Sequence, residues 1–268
     1  MVVKRRNKWI KIGAAIGALY IAGGVLLYLI QDLILFHPKV LPTDHRFHFT
    51  KPVVEKNIKR RDGSNLNLLE LKKEHSKGII LFFHGNMENA EHYEKYVPFF
   101  NNLGYELWIM DYAGFGKSTG KRTEENMYND AQTVYNLALK QTTPDSIIIY
   151  GKSIGTGVAA HLAAGNQCKQ LILETPYYSI PALAKHYFPI YPVLPISRYL
   201  FPTFQYLSKV KAPVTLLHGT ADEIIPYAQA KKLKEENYKV QLISIPKGKH
   251  NNLLSFPQFR AVIDSILR

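Results

Sequence analysis

A serine stands between two glycines, Gly151-Lys152-Ser153-Ile154-Gly155, where an apolar β-branched run gives way to a run of small residues. Ser146-Ile147-Ile148-Ile149-Tyr150 before it reads as a buried strand. Ile154 to Gly165 after it (IGTGVAAHLAAG) reads as a helix packed closely through Gly and Ala. A strand-to-helix turn this tight holds its serine in a strained conformation with the hydroxyl exposed, and the flanking glycines let neighbouring backbones approach. The flanking pattern favours a nucleophile over the other reading of the motif, a structural serine in a tight turn.

The rest of the chain supplies the sheet that such a turn needs. Val53 to Arg60 and Leu66 to Leu71 read as strands joined by Asp62-Gly63-Ser64. Ile79 to Phe83, Tyr105 to Met110, Leu171 to Leu173, Val214 to Leu217 and Val240 to Ile245 follow as apolar runs of strand length. Between them lie helical patterns over Asn89 to Leu103, Thr123 to Lys140 and Tyr227 to Asn237, with a last helix from about Phe256 to Leu267. Thr123-Glu124-Glu125 is a helix-start signal. Alternation of this kind predicts an α/β fold, with a mostly parallel sheet of about eight strands and helices on both faces. One interval, about residues 177–212, breaks the rhythm. Pro181, Pro189, Pro192, Pro195 and Pro202 exclude one long helix there, and seven tyrosines and phenylalanines lie between Tyr177 and Phe201. We read it as a small lid over the carboxyl ends of the strands, where open parallel sheets place ligands; the plainer alternative is a connection whose aromatics pack on the sheet.

Ahead of this domain, Ile12 to Ile30 contains no charged residue over a length just sufficient to cross about 30 Å of hydrocarbon as a helix. Lys4, Arg5, Arg6, Lys8 and Lys11 precede it, and Gln31-Asp32 follow. The expected organisation is therefore a cytoplasmic basic tip and transmembrane anchor over residues 1–31, with the domain over 32–268 on the extracytoplasmic side. A cleavable signal peptide is the main competitor. The apolar run exceeds the usual core of such a peptide, and no Ala-x-Ala-like site follows. The net charge of +13 is otherwise scattered over helices and turns rather than clustered beside aromatic or glycine-rich stretches, which argues against nucleic acid as a partner. A lone cysteine, Cys168, excludes an internal disulfide and any metal site built on paired thiols. Oligomeric state has no signature in the sequence.

A serine hydroxyl becomes a useful nucleophile when a base takes its proton, and that base needs a partner to fix its tautomer. On a sheet of this type the chain order is serine, then acid, then histidine, each after a successive strand. Asp222, in His218-Gly219-Thr220-Ala221-Asp222-Glu223, directly follows the run Val214 to Leu217. His250, in Gly248-Lys249-His250-Asn251, follows Val240 to Ile245. Glu223 is the rival acid, and His218 reads as a brace for the acid's loop. The oxyanion of a tetrahedral intermediate calls for two backbone donors. One is the N–H of Ile154; the other belongs to the turn His84-Gly85-Asn86-Met87, with Asn86 preferred over Met87. His84 reads as a residue that ties this loop down.

Taken together, these residues resemble the α/β-hydrolase superfamily from about Gln31 to the C-terminus. The likeness is nearest to its membrane-anchored branch, which includes eukaryotic protein depalmitoylases and many uncharacterised bacterial members. Gln31-Asp32-Leu33-Ile34-Leu35-Phe36-His37-Pro38 is similar to the motif that opens the domain in that branch. Asp111-Tyr112-Ala113-Gly114-Phe115-Gly116-Lys117-Ser118 resembles its Asp-Tyr-x-Gly-x-Gly-x-Ser turn, with Ala113 where arginine is frequent. The eukaryotic members carry an N-terminal cysteine cluster for lipidation, which this chain replaces with a hydrophobic helix. The resemblance implies serine hydrolysis of a small or lipid-like acyl ester or thioester through an acyl-enzyme, with no metal and no cofactor. A serine peptidase of the same fold and a catalytically silent membrane-tethered binding module are the competing readings. A dehalogenase or epoxide hydrolase would need a carboxylate at position 153.

Overall fold

The computed structural model describes residues 2–268. The chain opens with helix α1 (Val2–Leu29), whose apolar portion, Trp9–Leu29, has a mean hydropathy of 2.0 and makes the helix long and apolar enough to cross a membrane. The helix continues through the basic tip and ends at Leu29, so the apolar stretch lies slightly earlier than Ile12 to Ile30. A short helix α2 (Gln31–Leu35) follows, and then the two-residue strand β1 (His37–Pro38).

The domain proper runs β2 (Val53–Lys59), β3 (Asn65–Leu71), β4 (Gly78–Phe83), β5 (Met87–Glu88), α3 (Tyr96–Asn102), β6 (Tyr105–Met110), α4 (Glu124–Ala138), β7 (Ile147–Lys152), α5 (Gly155–Gly165) and β8 (Gln170–Glu174). Three short helices follow, α6 (Ile180–Tyr187), α7 (Val193–Ile196) and α8 (Thr203–Leu207). Then come β9 (Val214–Gly219), α9 (Ala228–Glu236), β10 (Gln241–Ile245) and α10 (Pro257–Leu267). Eight strands form one sheet in the order β10-β9-β8-β7-β4-β6-β3-β2. The β2–β3 and β3–β6 pairs are antiparallel, and all the others are parallel.

The central strands are apolar on both sides because both faces of the sheet are covered. Along β4 and β7, Ile79, Leu81, Phe83, Ile147 and Ile149 enter the core beneath α4 and α5. Ile80, Phe82, Ile148 and Tyr150 enter the opposite core with Phe100, Phe259 and Ile263 from α3 and α10. Register pairs Phe83 with Gly151, Gly151 with Leu173, and Gly219 with Ile245, so β4, β7, β8, β9 and β10 reach one edge together. That edge carries the functional loops.

The segment 89–103 differs from the continuous helix expected there. Asn89 caps a single 3₁₀ turn (Ala90–Tyr93) by accepting from Glu91 N–H, and α3 begins only at Tyr96. Pro98 explains the break: without an N–H it cannot bond back to residue 94, whereas in the first turn of a new helix that bond is not required. The strand pair β1–β5, parallel with His37 opposite Met87, was not visible in the sequence because two-residue strands carry no periodicity.

Candidate active site

Ser153 follows the last residue of β7 and has a φ of +52°, a left-handed conformation that costs a non-glycine residue of order 1–3 kcal/mol. Close packing on each side maintains it. A Cβ on Gly155 would lie 2.1 Å from the Phe83 carbonyl oxygen, and one on Gly151 2.6 Å from the Gly155 carbonyl oxygen. Both glycines therefore exist for backbone approach. The Ser153 N–H donates to Glu174 O at 2.9 Å, tying the turn to the end of β8.

Three loops converge on this serine. His250, 3% exposed, brings Nε2 to 2.9 Å from Ser153 Oγ. Its Nδ1 lies 2.9 Å from Asp222 Oδ2. Asp222 Oδ1 accepts the amides of Ile224 (2.9 Å) and Ile225 (2.8 Å), which fixes the carboxylate in its turn. His218 Nε2, itself bonded to Ile225 O at 2.9 Å, stands 3.3 Å from Asp222 Oδ2. Burial works against charge on Asp222, but hydrogen bonds from His218 and His250, the nearby imidazole charge and the Ile225 amide together outweigh it. The carboxyl is held well below the usual carboxylate range and stays ionised. An ionised Asp222 favours the tautomer with the proton on Nδ1, leaving Nε2 to accept from the serine hydroxyl. Glu223 meets this loop only through the His250 amide, at 3.5 Å.

Across the serine, Gly85 lies so close that a Cβ there would be 3.6 Å from Ser153 Cβ. Its amide donates to Tyr93 Oη at 3.0 Å. His84 bonds Gly85 O through Nδ1 at 2.7 Å, and its carbonyl accepts from Tyr112 Oη at 2.9 Å. Asn86 and Ile154 both line the cavity at Ser153, whereas the Met87 side chain is exposed and outside it. Among the described residues, neither the Asn86 nor the Ile154 amide has a backbone acceptor.

That cavity has a volume of about 320 Å³, within the range of small-molecule sites. Ile34 and Leu35 from α2, Ile180, Leu183 and Phe188 from the lid interval, and Ile225 supply most of its apolar wall. Next to Ser153 in the chain lies a buried group that had no signal in the sequence. Lys152 Nζ bonds Glu174 Oε1 at 2.5 Å and His250 O at 3.1 Å. Glu174 also accepts from Tyr150 Oη and, at 2.9 Å, from Tyr96 Oη. Cys168 is buried in the hydrophobic core, and burial pushes its thiol pKa up to about 12. Among the described residues no cluster of three or more metal-ligating side chains occurs.

A mostly parallel eight-stranded sheet with a serine elbow on its central strand defines an α/β hydrolase of the serine-hydrolase type. The profile of the family described as serine aminopeptidase, S33, matches residues 74–209, half of the chain, and the chain belongs to that family. Among named relatives, human α/β hydrolase domain-containing protein 17B is 30% identical over 194 residues, 69% of this chain and 64% of that protein. The α/β hydrolase domain-containing protein 17C of Xenopus tropicalis is 29% identical over 193 residues, 69% of this chain and 59% of that one. The chain thus spans less than two thirds of the length of these relatives. In three dimensions it is similar to the Pyrococcus furiosus esterase Pf2001 (TM-score 0.68, 20% identity, 87% of this chain and 96% of that one). It is also similar to Est1E from Butyrivibrio proteoclasticus with ferulic acid bound (TM-score 0.62, 20% identity, 78% and 95%). At this identity both likenesses concern the fold.

Proposed function

We propose that this chain is a membrane-anchored hydrolase that cleaves a carboxylic ester or thioester through an acyl-enzyme on Ser153. The observation that carries the reading is the continuous chain Ser153 Oγ, His250 Nε2, His250 Nδ1, Asp222, with 2.9 Å at each link, opening on an apolar cavity. In the first step His250 Nε2 takes the Ser153 proton as Oγ bonds the acyl carbon. The same imidazole then returns that proton to the departing alkoxide or thiolate. Water attacks the acyl-enzyme by the same route in reverse. Asp222 keeps the ring oriented and stabilises the imidazolium without itself taking the proton. The amides of Ile154 and Asn86 are the oxyanion donors in this reading, because both border Ser153 and Gly85 N–H is engaged by Tyr93.

The chemistry of the cavity favours an acyl ester over an aminopeptidase substrate. A free peptide N-terminus is an ammonium and needs an anionic or carbonyl partner. No acidic residue is among those that line the cavity, and its polar members are Asn86, Ser153, Tyr177 and Tyr187. The apolar helix Trp9–Leu29 supports membrane attachment, and the basic residues before it support a cytoplasmic N-terminus.

The test is covalent. A fluorophosphonate should label the detergent-solubilised full chain at Ser153, and Ser153→Ala should abolish labelling. His250→Ala should cost on the order of 10⁴-fold or more in kcat on a p-nitrophenyl ester. A folded wild-type protein that resists the probe would instead favour the silent binding module.

A further inference from the structure

The cavity at Ser153 has an apolar neighbour on the lid side. A second, smaller chamber of about 60 Å³ adjoins it, and the two share Ile34, Leu35, Ile180, Ala184 and Phe188 as a common wall. The far chamber is lined by Val193 and Ile196 of α7 and by Leu27, which belongs to the apolar helix α1. These shared residues make one path of apolar lining from the serine to the junction of lid and N-terminal helix.

The polar side chains along that path are already paired. Gln31 donates through Nε2 to Ile196 O at 2.7 Å and accepts Arg198 N–H at 2.8 Å. Ser197 Oγ donates to Val193 O, Asn86 Nδ2 to Leu35 O, Tyr177 Oη to Ile154 O and Tyr187 Oη to Ile224 O, all within 3.1 Å. A polar ligand would find few free partners there, whereas an alkyl chain needs none.

The wall that α1 and α2 supply is also fastened. Tyr20 stacks on Tyr191 with ring centroids 4.8 Å apart and donates to Ile190 O at 2.9 Å. Gly23 admits the Tyr191 ring; a Cβ there would overlap its hydroxyl. Asp32 accepts from Tyr199 Oη at 2.5 Å and lies 3.4 Å from Arg198.

From this we infer that the two chambers form one acyl-chain subsite whose far end is built by the N-terminal helix, so that Leu27, Phe188 and Ile196 set the chain length this enzyme accepts. The inference rests on the reading of Ser153 as the nucleophile and adds to it the substrate's defining part, an extended alkyl chain. The N-terminal helix then has a second role beyond attachment, as a wall of the binding site.

Chain-length selectivity tests this in the full-length, detergent-solubilised protein with p-nitrophenyl butyrate, octanoate and palmitate. Leu27→Trp and Ile196→Trp fill the far chamber from two independent elements. Each should lower the palmitate-to-butyrate ratio of kcat/KM by about tenfold or more, given the free energy of burying several methylenes. Phe188→Ala, which widens the shared wall, should raise that ratio. A side chain that served folding alone would depress all three esters together. Selectivity unchanged in both filling variants, or a ratio that Phe188→Ala lowers, overturns the subsite. Fluorophosphonate labelling of the wild-type protein reports Ser153 separately, so loss of the nucleophile reading and loss of the subsite give different results.

Discussion

At the scale of single residues, Lys152 and Glu174 are the least expected part of the site. Both side chains are nearly devoid of solvent, at 4% and 0% exposure. Their pairing joins three strand ends: Lys152 terminates β7, Glu174 terminates β8, and the Lys152 ammonium also bonds the carbonyl of His250 after β10. Removing one member of a buried pair leaves the other charged without a partner, which costs about 3–5 kcal/mol. Lys152→Met should therefore destabilise the fold by about that amount in urea denaturation. Lys152→Met combined with Glu174→Gln should recover a substantial part, because the stranded carboxylate is then gone. A single variant as stable as wild type would mean that the Tyr96 and Tyr150 hydroxyls alone satisfy Glu174. None of this was legible beforehand. The position before the serine of a Gly-x-Ser-x-Gly turn, here Lys152, carries no periodic signal, and Glu174 looks in sequence like any polar residue ending an apolar run. Ser153, Asp222 and His250, by contrast, were legible as candidates because each directly follows an apolar run of strand length, and the structure brings the three within hydrogen-bonding reach.

At the scale of elements, what could be read depended on how much burial each one carries. The central strands read clearly, since a strand buried on both faces is an unbroken apolar run. The β2–β3 hairpin followed from Asp62-Gly63-Ser64, where Ser64 N–H and Oγ both bond Asp62 Oδ1. The helix expected over 89–103 failed at Pro98, and the lid interval resolved into three short helices separated by prolines, whose bounds are set by packing rather than by pattern. The most constrained junction is the elbow between β7 and α5. Its geometry requires α5 to lie against the end of β4, and Gly155 is the contact point. Gly155→Ala would drive a methyl carbon to 2.1 Å from a backbone oxygen that belongs to the central strand and cannot move alone. We expect this variant to lose at least about 3 kcal/mol of stability and any fluorophosphonate labelling with it. Gly165→Ala at the other end of the same helix, where a Cβ meets nothing within 4 Å, should be tolerated and so serves as the matched control. Equal effects in the two would show that helix propensity rather than close approach decides the outcome.

At the scale of the whole molecule, the apolar helix and the hydrolase domain are connected by more than chain continuity. Tyr20, Gln31 and Asp32 bond the lid interval directly, and exposed apolar side chains of that interval, Ile190 and Leu194, lie beside the apolar helix in the chain's surface. In the proposed membrane-anchored arrangement, a domain held in this way keeps its cavity near the bilayer rather than roaming on a tether. The proposed side of the membrane rests on charge. Five basic residues precede Trp9–Leu29 or lie in its first turn, and on the far side the first charged residue is Asp32. Basic segments are retained on the cytoplasmic side, so the proposed topology has the domain across the membrane from residue 4. In sealed vesicles oriented with the external face outward, added protease should digest the hydrolase domain and protect the N-terminal tip, while inverted vesicles should give the opposite pattern. Replacing Lys4, Arg5, Arg6 and Lys8 with Gln while adding Lys after Asp32 should weaken or invert that orientation, because the rule depends on the difference in positive charge across the span. Full protection of the domain in outward-facing vesicles, with digestion in inverted ones, would place it in the cytoplasm and overturn this topology. The acyl-chain path would survive that outcome, since it depends on contact between the lid and the apolar helix and not on which leaflet lies above them.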